Sequence, residues 1–367
     1  MAVSRINEAG LNVNQYGNRN IIYNGAMNVA QRSTSVTGIG ASAGYFTCDR
    51  WKIEVGGTAG RLTQTQTADG PNGISANCLK LDCTTADTSI AASEYLILTQ
   101  PIEGQDLQRI AKGTSGAKKV TLSFYVKANA AFTFVAEFQD NTNARLNGKT
   151  FATTTDWVRH ELTFEADTTG AFNDNNAEGG RLNFWLHAGA TYAGGTLPSG
   201  WVARSGNDVN RAAGISSFFS NTANNFFITG LQMEVGDTAT DFEHRSFADE
   251  LQKCQRYYQV LDSQFANGGY LRYCTAYMYG ATSAEGSFHF PVEMRATPTL
   301  TASGTIAVFD GTNVLNASSV IIGGDGSSKQ LVAITLGGIA SGGVQYRPCS
   351  ILSSNNTTSK IEFIAEL

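Results

Sequence analysis

The sequence predicts an all-β protein in which two β-sandwich domains, the second smaller, are joined by one short helix. Apolar and polar residues alternate in many short segments, as they do in half-buried strands. Clusters of Gly, Asn and Ser separate these segments, and the 39 glycines exceed the usual share of about 7%. A helical period of about 3.6 is clear only near residue 250.

The first twenty residues are rich in asparagine and show no periodic pattern. Asn12, Asn14, Asn18 and Asn20 all lie in this segment. A segment of this kind cannot bury a core of its own. We therefore predict that residues 1–20 form an arm that becomes ordered against a partner.

Ten strands are predicted between this arm and the helix. In the clearest of them, residues 120–127, four apolar residues point one way and the four intervening residues point the other way. The predicted strands cover residues 21–32, 45–51, 62–66, 78–82, 95–100, 120–127, 132–138, 158–164, 182–188 and 226–235. The strand at 95–100 is expected to end at Pro101. Many short strands with turns between them favour an antiparallel sandwich.

The helix is predicted to start directly after Ser246, which is a suitable N-cap with Asp249 three residues later. Its apolar stripe would consist of Phe247, Leu251, Cys254 and Tyr258. Beyond it, strands are predicted at residues 270–279, 305–309, 330–336, 344–351 and 360–366. The strand at 270–279 carries large residues on both faces, which one small sandwich would not bury, so an oligomer is expected.

Composition and charge exclude several classes of protein. Charged residues make up 16% of the chain and the net charge is −5, without a basic patch, so no nucleic-acid partner is predicted. No apolar run approaches the roughly 18 residues of a membrane span, and residues 1–8 lack the apolar core of a signal peptide. We therefore expect no membrane insertion and a protein made in a cytoplasm. The six cysteines show no CxxC spacing and are expected to be reduced and mostly buried.

No motif supports an enzyme or a cofactor. Residues 40–44 spell G-x-S-x-G, but they lack the strand before and the helix after that a nucleophile elbow requires. Residues 174–179 match the first half of an EF-hand loop, yet Trp185 stands where the last ligand should be, which favours a polar turn. The four histidines show no ligand spacing. We therefore predict no catalytic residue, no metal site and no cofactor.

Aromatic residues are the remaining candidates for a binding site, because aromatic faces stack on sugar rings. Trp51 and Trp157 are placed in or near the core. Trp185 and His187 fall on the strand face opposite Leu182, Phe184 and Leu186, so Trp185 is predicted to be exposed or packed against another subunit. The candidate glycan-binding residues are Trp185, His187, Tyr192 and Trp201. Subunit packing or loop anchoring is the alternative role for these aromatic residues.

Four segments resemble bacteriophage tail-fibre and virion appendage proteins. They are residues 228–236 (ITGLQMEVG), 239–245 (ATDFEHR), 250–258 (ELQKCQRYY) and 288–301 (FHFPVEMRATPTLT). The resemblance implies a non-enzymatic structural protein of the virion, assembled in the host cytoplasm, which is usually a homotrimer and recognises the host surface. A capsid decoration or head-fibre protein is one alternative, and a polysaccharide depolymerase is another.

Residues 18–236 resemble the jelly-roll carbohydrate-binding modules attached to xylanases. The matching segments are residues 20–25 (NIIYNG), 120–127, 155–164 (TDWVRHELTF) and 226–233. Those modules usually carry acidic residues that hold a structural calcium, and here the corresponding positions are Asn28 and Thr229. The resemblance therefore supports the fold more than the metal.

Together these inferences divide the chain into four parts. We predict an N-terminal arm at 1–20, a jelly-roll domain at 21–245, a linking helix at 246–258 and a C-terminal β domain at 259–367. The arm is expected to bind other virion proteins, and the β domains are expected to face a host surface polysaccharide.

Overall fold

The computed structural model describes residues 17–263, 269–323, 326–339 and 342–367. The chain forms two compact units, unit 1 (Met1–Glu250 with Leu367) and unit 2 (Leu251–Glu366). Both are built from antiparallel strands, which confirms the predicted all-β class. Within the described residues, no helix combines the length and the apolar character needed to span a membrane.

Two sheets make up unit 1, with strands numbered along the chain. The six-stranded sheet has the spatial order β1 (Ser35–Ile39), β4 (Arg61–Thr67), β5 (Cys78–Thr85), β13 (Asn225–Val235), β7 (Val120–Ala128) and β10 (Val158–Phe164). The seven-stranded sheet has the order β12 (Val202–Ala203), β9 (Arg145–Ala152), β8 (Thr133–Asp140), β11 (Glu178–Ala188), β6 (Tyr95–Glu103), β3 (Lys52–Gly56) and β2 (Gly44–Tyr45). Sequence-distant strands are neighbours in both sheets, as in a jelly roll.

Aromatic residues from facing strands fill the core between the two sheets. Phe124 of β7 meets Phe184 of β11 edge to face at a centroid distance of 5.2 Å, and Phe151 of β9 at 5.1 Å. Trp51 is fully buried, as predicted. Each fully buried side chain of this size contributes about 1.5–3 kcal/mol through the hydrophobic effect. The predicted jelly-roll sandwich is therefore confirmed.

Residues 21–32 do not form the predicted strand. Asn24 and Met27 have positive φ angles of 52° and 56°, which an extended strand excludes. The Nδ2 amide of Asn24 instead donates to the carbonyl oxygens of Val29 (2.8 Å) and Asp49 (3.0 Å). An asparagine side chain thus replaces a sheet partner and holds the segment in an irregular conformation.

The predictions at 45–51 and 95–100 are also corrected. Residues 46–51 form a turn between β2 and β3, in which Arg50 has a φ of 70°. Strand β6 continues through Pro101 to Glu103. Pro101 lies beyond Thr99, where the pairing of β6 with β3 ends, so a residue without an N–H is tolerated there. Its carbonyl oxygen accepts a hydrogen bond from the Arg50 guanidinium (2.7 Å).

One nine-residue helix follows β13. Helix α2 (Phe247–Gln255) is capped as predicted, because the backbone N–H of Asp249 donates to Oγ of Ser246 at 3.1 Å. The predicted apolar stripe is only partly right. Cys254 is buried, but Phe247 is exposed and Tyr258 belongs to the following strand.

Unit 2 is a smaller sandwich of a three-stranded and a seven-stranded sheet. The first has the order β14 (Tyr258–Asp262), β23 (Lys360–Ile364) and β17 (Thr299–Ser303). The second has the order β19 (Val314–Asn316), β18 (Ile306–Phe309), β22 (Pro348–Ser353), β15 (Arg272–Gly280), β16 (Ser283–His289), β21 (Leu331–Gly337) and β20 (Ser319–Ile322). Phe363 of β23 stacks on Phe288 of β16 at 5.4 Å and joins the sheets.

Candidate functional site

A cleft of about 400 Å³ lies on the outer face of the seven-stranded sheet of unit 1. Alternation along β11 produces it, because Leu182 and Phe184 point into the sandwich core whereas Asn183 and Trp185 point outward. The residues that line the cleft are Glu54, Tyr95, Ile97, Gln139, Asn141, Arg181, Asn183, Trp185, Tyr192, Arg204 and Arg211.

Three aromatic side chains form one wall of the cleft. Trp185 packs against Tyr192 with ring centroids 5.3 Å apart, and Tyr95 meets Tyr192 edge to face at 5.5 Å. Tyr192 belongs to the short helix α1 (Ala190–Ala193), and its carbonyl oxygen accepts a hydrogen bond from the N–H of Ala212 at 2.8 Å. The chain after β11 thus folds back over the outer sheet face.

The floor of the cleft rests on a buried ion pair. Glu137 of β8 is fully buried, and its Oε2 accepts hydrogen bonds from Nη2 of Arg211 (2.6 Å), Nδ2 of Asn183 (2.8 Å) and Nε1 of Trp185 (3.2 Å). The Arg211 guanidinium also lies 4.8 Å from the centre of the Trp185 ring. Each of these contacts restricts the rotamer of a side chain in the floor, so the floor keeps its shape without a ligand.

A second charged pair lies along the rim. Nη1 of Arg181 donates to Oε1 of Glu54 at 3.0 Å, and its Nη2 donates to Glu178 at 2.9 Å. Burial alone would raise the pKa of Glu54, but Arg181 and Lys52 outweigh burial and lower it. The cleft therefore presents fixed donors from a guanidinium and fixed acceptors from an ionised carboxylate.

The structure brings two of the four candidate glycan-binding residues, Trp185 and Tyr192, into this cleft. The prediction that Trp185 is exposed or packed against another subunit is wrong, since its exposed fraction is 1%. Its predicted strand face is right, but Tyr192 and Arg211 cover the ring. Tyr95 and Tyr192 are the partly exposed aromatic residues of the wall.

Trp201 does not lie beside the other aromatic candidates. Its ring meets Phe138, a core residue of β8, edge to face at 5.3 Å, and its Nε1 donates to the carbonyl oxygen of Glu165 at 2.7 Å. Lys112 lies 5.4 Å from the ring centre. These contacts make Trp201 an anchor of its loop on the sandwich core, which was the alternative role considered above.

His187 also lies outside the cleft. It is completely buried, its Nδ1 lies 2.8 Å from Oγ of Ser217, and its ring meets Phe219 edge to face. The pairing of β11 with β6 shifts register between Trp185 and His187, so the two side chains diverge. A ligand in the cleft therefore does not contact His187.

Sequence reasoning missed the charged residues of the cleft. The alternation of β11 that selected Trp185 also places Arg181 on the same face, so that residue could have been found. Arg211 could not, because it lies in a segment without periodicity and reaches Glu137 across 74 residues of sequence.

At the position of the structural calcium in the resembling modules, neutral groups bind one another. The Oδ1 atom of Asn28 accepts a hydrogen bond from Nδ2 of Asn77 (3.1 Å), and the hydroxyl of Thr229 donates to the carbonyl oxygen of Asn77 (2.8 Å). Amides and hydroxyls thus replace the acidic residues, and no carboxylate takes part in these bonds.

The strand order and the outer cleft define unit 1 as a jelly-roll sandwich with a ligand-sized cleft on one sheet. No protein-family profile matches the chain, and no curated protein matches it. The solved structures that match the chain include carbohydrate-binding modules and a phage tailspike domain.

Three of these structures have sequence identities of 10–13% to this chain. A CBM4 structure is 12% identical, with a TM-score of 0.31 and coverage of 58% of this chain and 99% of the other. The CBM22-1 xylan-binding domain of Paenibacillus barcinonensis Xyn10C is 10% identical, with a TM-score of 0.27 and coverage of 58% and 93%. The enzymatically active domain of tailspike protein 4 of bacteriophage CBA120 is 13% identical, with a TM-score of 0.31 and coverage of 59% and 21%. At these sequence identities and TM-scores, the similarity does not indicate a function.

Proposed function

We propose that unit 1 binds a glycan in the cleft between the aromatic wall and the charged rim. One observation carries this proposal: the partly exposed rings of Tyr95 and Tyr192 face the same space as the paired groups of Arg181 and Glu54. A sugar ring offers apolar C–H faces to aromatic rings and hydroxyl groups to charged donors and acceptors. The cleft thus offers complementary partners to both parts of a saccharide.

The size and polarity of the cleft support this ligand class. Its volume of about 400 Å³ is that of a small-molecule site. Amide groups of Gln139, Asn141 and Asn183 line it together with three arginines. These groups are bonded within the protein, and a purely apolar ligand would still remove water from them without replacing its hydrogen bonds. A hydroxyl-rich ligand can replace those hydrogen bonds.

We propose binding without hydrolysis. A glycosidase needs a carboxylic acid with a raised pKa to protonate the leaving group. The pKa of Glu54, which lines the cleft, is lowered, and Glu137 is engaged by Arg211, Asn183 and Trp185 beneath the floor. Glu54 therefore does not suit proton donation, and Glu137 does not line the cleft. A polysaccharide depolymerase is the alternative, and the release of reducing sugar would identify it.

We further propose that the whole chain is a tail-fibre or appendage protein of a phage virion, in which the cleft recognises a host surface polysaccharide. The sequence resemblance at residues 228–258 and 288–301 supports this role. A capsid decoration or head-fibre protein is the alternative. Residues 1–16 of the predicted arm lie outside the described residues, and the arm is proposed to bind other virion proteins.

A homotrimer is proposed through unit 2. Tyr277 and Tyr279 of β15 and the neighbouring Tyr346 are 39%, 60% and 73% exposed, and the first two rings contact each other at 6.4 Å. Met278, which lies between Tyr277 and Tyr279, is buried in the core instead, and so is Tyr273. Three large exposed rings on one face favour contact with another subunit.

A glycan array tests the binding proposal. Labelled full-length protein is applied to bacterial surface polysaccharides, and any bound polysaccharide is then incubated with the protein and assayed for reducing ends. We expect binding to at least one polysaccharide and no release of reducing sugar. No binding on the array would refute glycan recognition, and release of reducing sugar would replace it with the depolymerase.

The virion role is tested by deleting the arm. The deletion should stop at residue 16, because Asn20 is part of the folded unit and its loss would disturb the fold. Asn20 is buried, its Nδ2 donates to the carbonyl oxygen of Leu231, and its Oδ1 accepts from the N–H of Met233, both at 3.0 Å. We expect the deletion variant to fold but to be absent from phage particles. Labelled wild-type protein should be seen on the tail when particles are imaged. An armless protein that enters particles at the normal copy number would refute attachment through the arm.

A further inference from the structure

Three side chains with metal-binding groups converge in unit 1 outside the cleft. They are Asp87 after β5, Glu94 directly before β6, and His187 near the end of β11. One ligand atom from each lies within 4.8 Å of the other two, and all three residues are buried. None of them lines the glycan cleft.

Two atoms of this cluster are buried without a hydrogen-bond partner. Nδ1 of His187 lies 2.8 Å from the hydroxyl of Ser217, so a proton on Nδ1 leaves the lone pair of Nε2 free. Nε2 has no partner and lies 3.7 Å from Oε2 of Glu94, which has none either. Leaving such groups unsatisfied costs about 1–3 kcal/mol each. Two acceptors that face each other call for a cation between them.

The remaining ligand, the carboxylate of Asp87, is held in place by its surroundings. Oδ2 of Asp87 accepts hydrogen bonds from the hydroxyl of Thr58 (2.8 Å) and the N–H of Ala59 (2.7 Å), and its Oδ1 accepts one from the N–H of Ser89 (3.3 Å). The contact between His187 and Ser217 orients the imidazole in the same way. Metal ligands in proteins are commonly oriented by hydrogen bonds of this kind.

The composition of the cluster supports a cation as well. Two carboxylates and one imidazole face one another in a buried place. A divalent ion would balance the charges of both carboxylates.

We propose that Asp87, Glu94 and His187 bind a divalent transition-metal ion, of which Zn²⁺ fits best. Imidazole nitrogen and carboxylate oxygen are both zinc ligands, whereas calcium takes oxygen ligands only. Tetrahedral bonds of about 2.0–2.2 Å place ligand atoms about 3.3–3.6 Å apart. The observed separation of 3.7 Å between Nε2 and Oε2 is close to this distance.

The site would fasten the segment behind the aromatic wall. The carbonyl oxygen of Glu94 accepts a hydrogen bond from the N–H of Gly189 (2.8 Å), directly before α1, and that of Ala92 accepts one from Thr191 (2.9 Å). These hydrogen bonds already join the 87–94 loop to the start of α1. A metal ion between Glu94 and His187 would join the same loop to the end of β11 as well. The proposal does not depend on glycan binding, because the ligands lie outside the cleft.

Zinc titration of the full-length protein tests the proposal. The protein is treated with a chelator and dialysed, titrated with ZnCl₂ in a calorimeter, and assayed for bound metal. We expect one bound equivalent, and Co²⁺ in place of Zn²⁺ should give the visible absorption of a tetrahedral site. Absence of a bound equivalent at micromolar Zn²⁺, or displacement of Zn²⁺ by equimolar Ca²⁺, would overturn the proposal.

Two variants and a matched control locate the ion. Glu94→Gln and His187→Gln keep side chains of similar polarity and should weaken zinc binding about tenfold or more. His160→Gln, which changes a histidine on β10, should bind as the wild type does. Circular dichroism checks that each variant is folded. Should Glu94→Gln bind zinc as tightly as His160→Gln, the assignment of these ligands would be wrong.

Discussion

Nη2 of Arg211 lies 2.6 Å from Oε2 of Glu137, and both side chains are buried beneath the cleft. The Glu137 side chain is completely buried and the Arg211 side chain is 6% exposed, so the carboxylate depends on this guanidinium for charge compensation. The same carboxylate orients Asn183 and Trp185. The shape of the proposed binding site therefore depends on this one ion pair.

Arg211→Met should destabilise unit 1 severely. The substitution leaves the charge of Glu137 buried without its partner, which costs about 3–5 kcal/mol. Arg204→Met is the matched control, because Arg204 pairs with Asp208 at an exposed position, where an ion pair contributes about 0–1 kcal/mol. Denaturant unfolding followed by tryptophan fluorescence reports on unit 1, since all four tryptophans belong to it. Equal losses in the two variants would show that the buried pair has no special role.

Trp201→Ala should reduce stability and leave glycan affinity unchanged. The substitution removes a hydrogen bond to Glu165 and an edge contact with Phe138, together about 2 kcal/mol. The side chain does not line the cleft. Unfolding and glycan titration are measured on the same preparation. A variant of normal stability that binds glycan weakly would place Trp201 in the binding site after all.

Acid should destabilise the wild type more steeply than Asp167→Asn. Burial would raise the pKa of Asp167, but hydrogen bonds from Arg145, Thr169 and Lys112 outweigh burial and lower it below the ordinary value of 3.8. A lowered folded-state pKa contributes stability above that ordinary value, and this contribution is lost as the pH falls through the lowered pKa.

Unfolding between pH 6 and pH 2.5 measures this effect. Asp174→Asn serves as the control, since Asp174 is exposed in a loop. We expect the control to follow the wild type and Asp167→Asn to show a shallower loss of stability below about pH 4. Identical pH profiles in all three proteins would rule out the role of Asp167.

Replacing Tyr279 and Tyr346 together by Ser should dissociate the proposed homotrimer. Both rings are largely exposed on unit 2, so their loss should not unfold the unit. Light scattering after size-exclusion chromatography should give a trimer for the wild type and a monomer for the variant. A monodisperse wild-type monomer at micromolar concentration would refute the trimer.

Strands with a clear period of two were predictable from sequence. The strand Val158–Phe164 has the predicted bounds, and Val120–Ala128 exceeds its prediction by one residue. The alternation of apolar and polar residues is a local pattern, so it can be recognised in a single sequence. The segment at 21–32 failed because side-chain hydrogen bonds of Asn24 override its apolar pattern.

The site was less predictable than the fold. Alternation identified the correct face for Trp185, but the cover over it comes from Tyr192 and Arg211, in a segment without a periodic pattern. The grouping of Asp87, Glu94 and His187 depends on the pairing of β6 with β11, which spacing along the chain does not reveal.

The most direct test of the proposed glycan site is a calorimetric titration with a polysaccharide fragment identified on the array. It compares the wild type with Tyr192→Ala, and Tyr279→Ala of unit 2 is the control, because both variants lose one tyrosine ring. We predict that Tyr192→Ala loses about 1–3 kcal/mol of binding free energy, the range for an aromatic anchor, and that Tyr279→Ala binds as the wild type does. Unchanged affinity in a folded Tyr192→Ala variant would contradict glycan binding in this cleft.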